Sequence, residues 1–143
     1  MPVFLFAVVL ITQAIRHAKD IWKADIITMP SGLELSNREM MYAIDEANIA
    51  RILVFAAALS YGNIGEIAFP GWLYIFSKSM CMFSTDTNVR CLPNFNPSAS
   101  SAARYCSAVF GENIVLPHVK SHSGTYFATI IGAALVGRIL DFS

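Results

Sequence analysis

Residues 51–76 read RILVFAAALSYGNIGEIAFPGWLYIF, and after Arg51 the single charged side chain among them is Glu66. No other part of the chain is so long and so apolar. A helix needs about 20 apolar residues to cross the hydrocarbon core of a bilayer. Pro70 and Gly71 break a regular helix, and Trp72 starts an aromatic stretch typical of the membrane interface. The stretch therefore predicts a membrane helix over residues 38–68, followed by a surface segment.

The composition of the whole chain points the same way. Of the 143 residues, 55% are hydrophobic and 14% are charged, and the mean hydropathy is +0.53. Soluble domains carry about 25% charged residues, because charges cover their surface. The ten basic and ten acidic residues leave no net charge, which argues against nucleic acid as a partner.

Two further segments are predicted to be helices of a single membrane domain spanning residues 1–143. The first, over residues 3–23, begins with an apolar run and continues past Arg16 and Lys19, whose long side chains can snorkel to the headgroups. Its alternative is a buried or interfacial helix. The last, over residues 121–140, contains small residues four apart, such as Ala128 and Gly132, which allow close helix packing. Residues 77–120 are expected to be an irregular connecting segment. The predicted fold class is thus an all-α integral membrane protein with two to three transmembrane helices.

Residues 46–71 resemble the first membrane helix of light-harvesting proteins of the fucoxanthin-chlorophyll type. Glu46 stands five residues before Arg51, small apolar residues follow, and Phe69-Pro70-Gly71 forms the turn at the matching spacing. The resemblance implies that Glu46 binds the magnesium of a chlorophyll and pairs with an arginine of a partner helix. It implies an antenna-like, pigment-binding subunit of a photosystem in the thylakoid membrane.

Other candidate sites are few. His118 and His122 are four residues apart, a spacing that can ligate a metal, but their polar surroundings favour two solvent-facing side chains. Glu66 is expected at a helix end near the membrane interface. Cys81, Cys91 and Cys106 are an odd number, so either one disulfide or three buried thiols fits the sequence. No catalytic constellation, metal site or cofactor is predicted.

The leading functional hypothesis is a non-catalytic accessory subunit, not an enzyme, of a large energy-converting membrane complex. Small-residue helix faces need partners, so other membrane subunits and lipids are the expected ones. A start at Met1 with no visible transit peptide favours the mitochondrial inner membrane, in the respiratory chain or ATP synthase. The alternative is the light-harvesting subunit, with chlorophyll as its cofactor.

Overall fold

A computed structural model of the chain describes residues 3–33, 36–58, 67–88, 90, 96 and 107–143. The elements are α1 (Val3–Asp20), β1 (Ile26–Met29), α2 (Arg38–Ile49), β2 (Leu53–Ala57), a 3-10 helix (Gly71–Phe76), β3 (Met80–Thr85), β4 (Ser107–Phe110), β5 (Ile114–Leu116), β6 (Val119–His122) and α3 (Thr125–Asp141). Helices and strands alternate as far as β3, and three more strands precede the last helix, which is the order of a mixed α/β fold.

The centre of the fold is a four-stranded parallel sheet with the strand order β1-β2-β3-β4. Phe55 of β2 lies opposite Thr28 of β1 on one side and Met80 of β3 on the other. β5 and β6 form a separate antiparallel hairpin that leads into α3. The prediction of an all-α membrane protein is therefore wrong. Among the described residues no helix is both long enough and apolar enough to cross a bilayer.

The predicted helix over residues 38–68 divides at Ala50. Its first part is α2, which begins where Asn37 accepts a hydrogen bond from the Met40 N–H at 3.1 Å. The chain then turns through Arg51, whose φ of 64° lies in the left-handed region, and continues as β2. Val54 to Ala57 are all buried, because helices cover both faces of the sheet. A strand buried on both faces has no polar side to alternate with, so its sequence is continuously apolar.

Two apolar layers hold the fold together. On one face, α2 and the 3-10 helix pack on the sheet, and α1 packs on α2. The core between them includes Met40, Ile44 and Leu73, none of which has any exposed surface. On the other face, α3 crosses all four strands and packs against Phe55 and Met82. Complete burial of a side chain of this size stabilises the fold by about 1.5–3 kcal/mol.

The predicted connecting segment over residues 77–120 is also wrong in its structure. It contains β3, β4, β5 and the first residues of β6. The predicted surface segment after Gly71 is the 3-10 helix, and Trp72 is partly buried against the core beside Phe69. Helices do occupy the other two predicted positions, but α1 ends at Asp20 and α3 begins at Thr125. Glu66, Cys91 and Cys106 lie outside the described residues, while Cys81 is buried in β3.

Candidate functional site

The parallel sheet brings the start of α2 and the start of α3 to the same edge. α2 leads directly into β2, and the hairpin that follows β4 leads into α3. Consequently both helices begin at the edge where the parallel strands end. In open α/β folds, ligands bind in the crevice outside the carboxyl ends of the strands. The first N–H groups of a helix have no partner within the helix, so they attract negative charge and carbonyl oxygens. This edge is the candidate site.

The start of α3 is fixed by backbone contacts with two strand ends. The Gly124 N–H donates to the Gly111 carbonyl at 2.9 Å, and the Gly111 N–H donates to the Thr85 carbonyl at 3.1 Å. Gly124 has a φ of 153°, which disfavours any residue with a side chain. A Cβ on Gly111 would lie 2.5 Å from Ser84 Oγ and 2.9 Å from the Gly124 carbonyl oxygen. Both glycines are thus required for the helix to begin this close to the sheet.

A buried asparagine bonds to the backbone of β3 near its carboxyl end. On the side of β3 that faces β2, the Ala58 N–H donates to the Met82 carbonyl at 3.1 Å. Two residues further along β3, Asn96 makes the next pair of hydrogen bonds: its Oδ1 accepts from the Ser84 N–H at 2.8 Å, and its Nδ2 donates to the Ser84 carbonyl at 2.7 Å. Among the described residues, the buried Ser84 hydroxyl has no hydrogen-bond partner. Asn96 thus lies at the carboxyl end of β3, on the edge that forms the candidate site.

The hairpin places aromatic rings beside the start of α3. The His122 ring stacks on Phe127 with the ring centres 5.9 Å apart, and the Tyr126 ring lies 4.4 Å from Phe127. His118 sits in the exposed turn of the hairpin with a φ of 65°. Both histidines are exposed, as the sequence predicts, although they lie on a β-hairpin.

Two hydroxyl groups at the start of α3 are partly accessible. The Ser123 Oγ accepts a hydrogen bond from the Asn113 N–H at 2.8 Å. Tyr126 lies in the first helical turn and is half-buried. Thr125, between them, is fully buried. A hydroxyl next to a helix N-terminus is one arrangement that serves acyl transfer, because it places a nucleophile close to donors for the developing oxyanion.

Glu46, the predicted chlorophyll ligand, lies away from this crevice on α2. Its two carboxylate oxygens face Arg16 and Lys19 of α1 at 3.3 Å and 3.2 Å. The hydrogen bonds from Arg16 and then Lys19 lower the pKa of Glu46, and hydrogen bonds to Asp20 and then Glu46 raise the pKa of Lys19. Glu46 therefore joins α1 to α2, and a pigment at this carboxylate stays a prediction. Arg51 is an exposed turn residue.

Among the described residues, no three or more His, Cys, Asp and Glu side chains are grouped as a metal site would require. Sequence reasoning also missed Ser84, Asn96, Gly111 and Gly124. They come from distant parts of the chain, and only the pairing of β3 with β4 places them together. The Ser-Gly-Thr run before an apolar helix was the one local signal for a helix start.

No family model matches the sequence, and no curated protein matches it either. Solved structures do match. The prenylagaramide maturation protease PagA shares the fold with a TM-score of 0.76 and 19% identity, over 90% of this chain and 47% of that chain. The PatG macrocyclase domain matches with a TM-score of 0.74 and 13% identity, over 90% of this chain and 39% of that one. The patellamide maturation protease PatA gives 0.71 and 20%, over 90% and 51%.

These matches correct several predictions. The resemblance to light-harvesting proteins is wrong, because the similar structures are protease and macrocyclase domains. For the same reason the prediction of a non-catalytic subunit of a respiratory, ATP-synthase or photosynthetic membrane complex is wrong, together with its membrane partners and its inner-membrane or thylakoid location. The expectation that the chain is not an enzyme is likewise contradicted by neighbours that are enzymes. The chain spans about half or less of the length of these structures, and it has their fold over nine-tenths of its own length.

Proposed function

We infer that this chain forms part of a peptide-processing domain that carries out acyl transfer at a peptide carbonyl. The observation that carries the proposal is the common fold with proteases and macrocyclases, together with the start of α3 at the carboxyl edge of the sheet. A protease transfers the acyl group of a peptide to water, and a macrocyclase transfers it to the peptide's own amine. Both reactions need the same polarised carbonyl, so one crevice serves either product.

The start of α3 is suited to hold that carbonyl. The N–H groups of Tyr126 and Phe127 belong to the first turn, where no intrahelical acceptor is available. They carry the positive end of the helix dipole and would stabilise the negative charge that develops on the carbonyl oxygen. Loss of one such donor in serine proteases costs about 2.7–4 kcal/mol of transition-state stabilisation.

The nucleophile is proposed to be one of the two partly accessible hydroxyls at this position. Ser123 has the side chain that acyl-transfer enzymes use most often, and Tyr126 lies in the first turn of α3 itself. His122 adjoins Ser123 in the chain, but neighbours in an extended segment point to opposite faces. The general base is therefore expected from another element, and the exposed His122 is placed to contact a substrate through its ring face.

A covalent probe and a peptide assay test the proposal together. The purified chain is treated with a fluorophosphonate, and the modified residue is located by mass spectrometry. We expect labelling at Ser123 or Tyr126 that is lost in Ser123→Ala or Tyr126→Phe but kept in Ser143→Ala, which changes a hydroxyl at the far end of α3. Incubation with a peptide library then distinguishes shortened from cyclic products. Absence of labelling, of both products and of peptide binding would refute the proposal.

A further inference from the structure

A crevice opens at the amino edge of the sheet, at the opposite end of the strands from the candidate site. It lies between the turn that joins α1 to β1 and the turn that joins α2 to β2. Its volume is about 470 Å³, within the range of about 300–1,000 Å³ that small-molecule sites occupy. Ile26 pairs with Leu53, and the Leu53 N–H donates to the Asp25 carbonyl at 2.9 Å. The first residues of the sheet therefore hold the two turns side by side.

Both turns carry a cation at a position where glycine is the usual residue. Arg51 follows α2 with a φ of 64°, and its N–H donates to the Asn48 carbonyl at 2.9 Å. The next N–H, of Ile52, donates to the Ala47 carbonyl at 3.0 Å. This pair of bonds is the turn in which helices most often end on a left-handed glycine. Lys23 stands in the turn after α1 with a φ of 52°. Both cations line the crevice, although glycine would strain either turn less.

Two of the carboxylates that line the crevice are already neutralised. One oxygen of Asp20 and one of Glu46 each lie 3.2 Å from the Lys19 ammonium. Arg16 lies 3.3 Å from the second oxygen of Glu46. These contacts hold α1 against α2, so the groups that make them are occupied within the fold.

Three further charges line the same crevice without pairing. Lys23, Asp25 and Arg51 are exposed, and among the described residues no ion pair joins any of them to another side chain. They do not pair with one another either, although Lys23 and Asp25 are two residues apart. Both helices also end at this edge, so the negative ends of their dipoles favour a positive group there. The crevice thus offers separate places for a negative and a positive group.

We propose that this crevice binds a small zwitterion, of the class of free amino acids and short peptides with unblocked ends. The carboxylate of the ligand lies between Lys23 and Arg51, and its ammonium group faces Asp25. Three cations and three carboxylates line the crevice, so its charge balance suits a ligand that carries both signs and no net charge. A guanidinium also matches a carboxylate with two parallel N–H groups. Binding here is independent of the proposed acyl transfer, because the two sites lie at opposite ends of the strands.

A titration of the full chain with matched dipeptides tests the proposal. The probe is alanyl-alanine, whose N-acetylated form keeps only the negative charge and whose C-terminal amide keeps only the positive charge. Binding is followed by the chemical shifts of the backbone amides in NMR spectra. We expect the zwitterion to bind at least tenfold more tightly than either blocked form, with the largest shifts at residues 23–25 and 51–53. Inorganic phosphate, which has no positive group, should bind at least tenfold more weakly than alanyl-alanine.

Glycine substitutions remove the two cations and relieve the two turns. Arg51→Gly and Lys23→Gly should each weaken the binding of alanyl-alanine at least tenfold. Their melting temperatures should be unchanged or higher, because glycine adopts a positive φ without strain. Asp25→Asn should reduce the affinity for the zwitterion to that for its N-acetylated form. The control Arg138→Gln removes a cation from the last turn of α3 and should change the affinity less than twofold.

Several results would overturn the proposal. They are no binding of alanyl-alanine, equal affinity for its blocked forms, tighter binding of phosphate, or shifts confined to the start of α3. Unchanged affinity in either glycine variant would do so as well. If a glycine variant unfolds, the comparison of the three dipeptide forms on the unmodified chain decides.

Discussion

The substitution Gly111→Ala gives the sharpest test of how the crevice is built. Its new Cβ would lie 2.5 Å from Ser84 Oγ, 2.9 Å from the Gly124 carbonyl oxygen and 3.2 Å from Ala128 Cβ. Two of these distances are shorter than any van der Waals contact, and one of the atoms is backbone. The start of α3 must therefore shift away from the sheet. Overpacking of this kind costs about 1–3 kcal/mol, and the backbone contact places the expected cost at the upper end, about 2–3 kcal/mol.

Ser84→Ala separates the two clashes. The Ser84 hydroxyl is buried and has no hydrogen-bond partner in the described part of the chain, so its removal should leave the stability unchanged or raise it by up to about 1 kcal/mol. In the Ser84→Ala background the substitution Gly111→Ala still meets the Gly124 carbonyl but no longer the hydroxyl. The cost should fall by about 0.5–1 kcal/mol, which a double-mutant cycle measures as a coupling energy.

Gly132→Ala is the matched control within α3. Its Cβ would lie 2.6 Å from Met82 Cε, the far end of a flexible side chain that can rotate away. Alanine also favours a helix interior over glycine by about 1 kcal/mol, so the net change should stay within about 1 kcal/mol. Urea unfolding followed by tryptophan fluorescence measures all four variants. Equal midpoints for Gly111→Ala and the unmodified chain, or a coupling energy of zero, would refute this account of the crevice.

Three further substitutions test separate features. Asn96→Ala removes the hydrogen bonds to the buried N–H and C=O of Ser84, so urea unfolding should show a loss of about 2–4 kcal/mol in the free energy of unfolding. A loss below about 0.5 kcal/mol would contradict this role of Asn96. Glu46→Gln removes the carboxylate whose pKa is lowered by Arg16 and then Lys19. A carboxylate with a lowered pKa stabilises the fold at pH values above the ordinary glutamate pKa of about 4.3. The difference in stability between the unmodified chain and Glu46→Gln should therefore be full at pH 7 and disappear as the pH falls below about 4.3. A difference that does not change with pH would contradict this expectation. Gly124→Ala places a side chain on a residue with a φ of 153°, so thermal unfolding should show a loss of stability of about 1–3 kcal/mol. The rate of peptide processing should decrease as well. An unchanged melting temperature would refute the strain.

Local signals in the sequence located the helices better than the strands. The start of α2 was readable because Asn37 can cap a helix and Met40, Ile44 and Ala47 follow at helical spacing. β2 was not readable, because Leu53–Ala57 is a short, fully buried apolar run. Such a run has no alternation, and without tertiary context it extends a preceding helical pattern as well as it forms a strand.

The incorrect prediction of a lipid environment arose from the same ambiguity between helix and strand. β1 and β2 are uncharged because α2 covers one face of the sheet and α3 the other. When the sequence of β2 and the apolar residues after it is interpreted as a continuation of α2, the combined segment has the length of a membrane span. The alternation of short apolar runs with helical segments was the signal for a parallel sheet instead, with β1, α2 and β2 as its first unit.

The candidate site could not be predicted from local sequence patterns, for a different reason. Ser84, Asn96, Gly111 and Gly124 each have an ordinary role in their own segment, as strand, loop or turn residues. Their joint role exists only after β3 and β4 pair in register, since Thr85 lies opposite Phe110 and the next residue, Gly111, then meets the start of α3. The glycines at 111 and 124 were the local signal for the site, and without the fold they could not be distinguished from ordinary turn glycines.

The deficit of charge that first suggested lipid has a second physical explanation in the fold. A sheet covered on both faces removes four strands from water, so their side chains need no charge. An apolar surface needs an apolar neighbour, but it does not specify whether that neighbour is lipid or polypeptide. In this chain the helices are that neighbour, because α2 covers one face of the sheet and α3 covers the other.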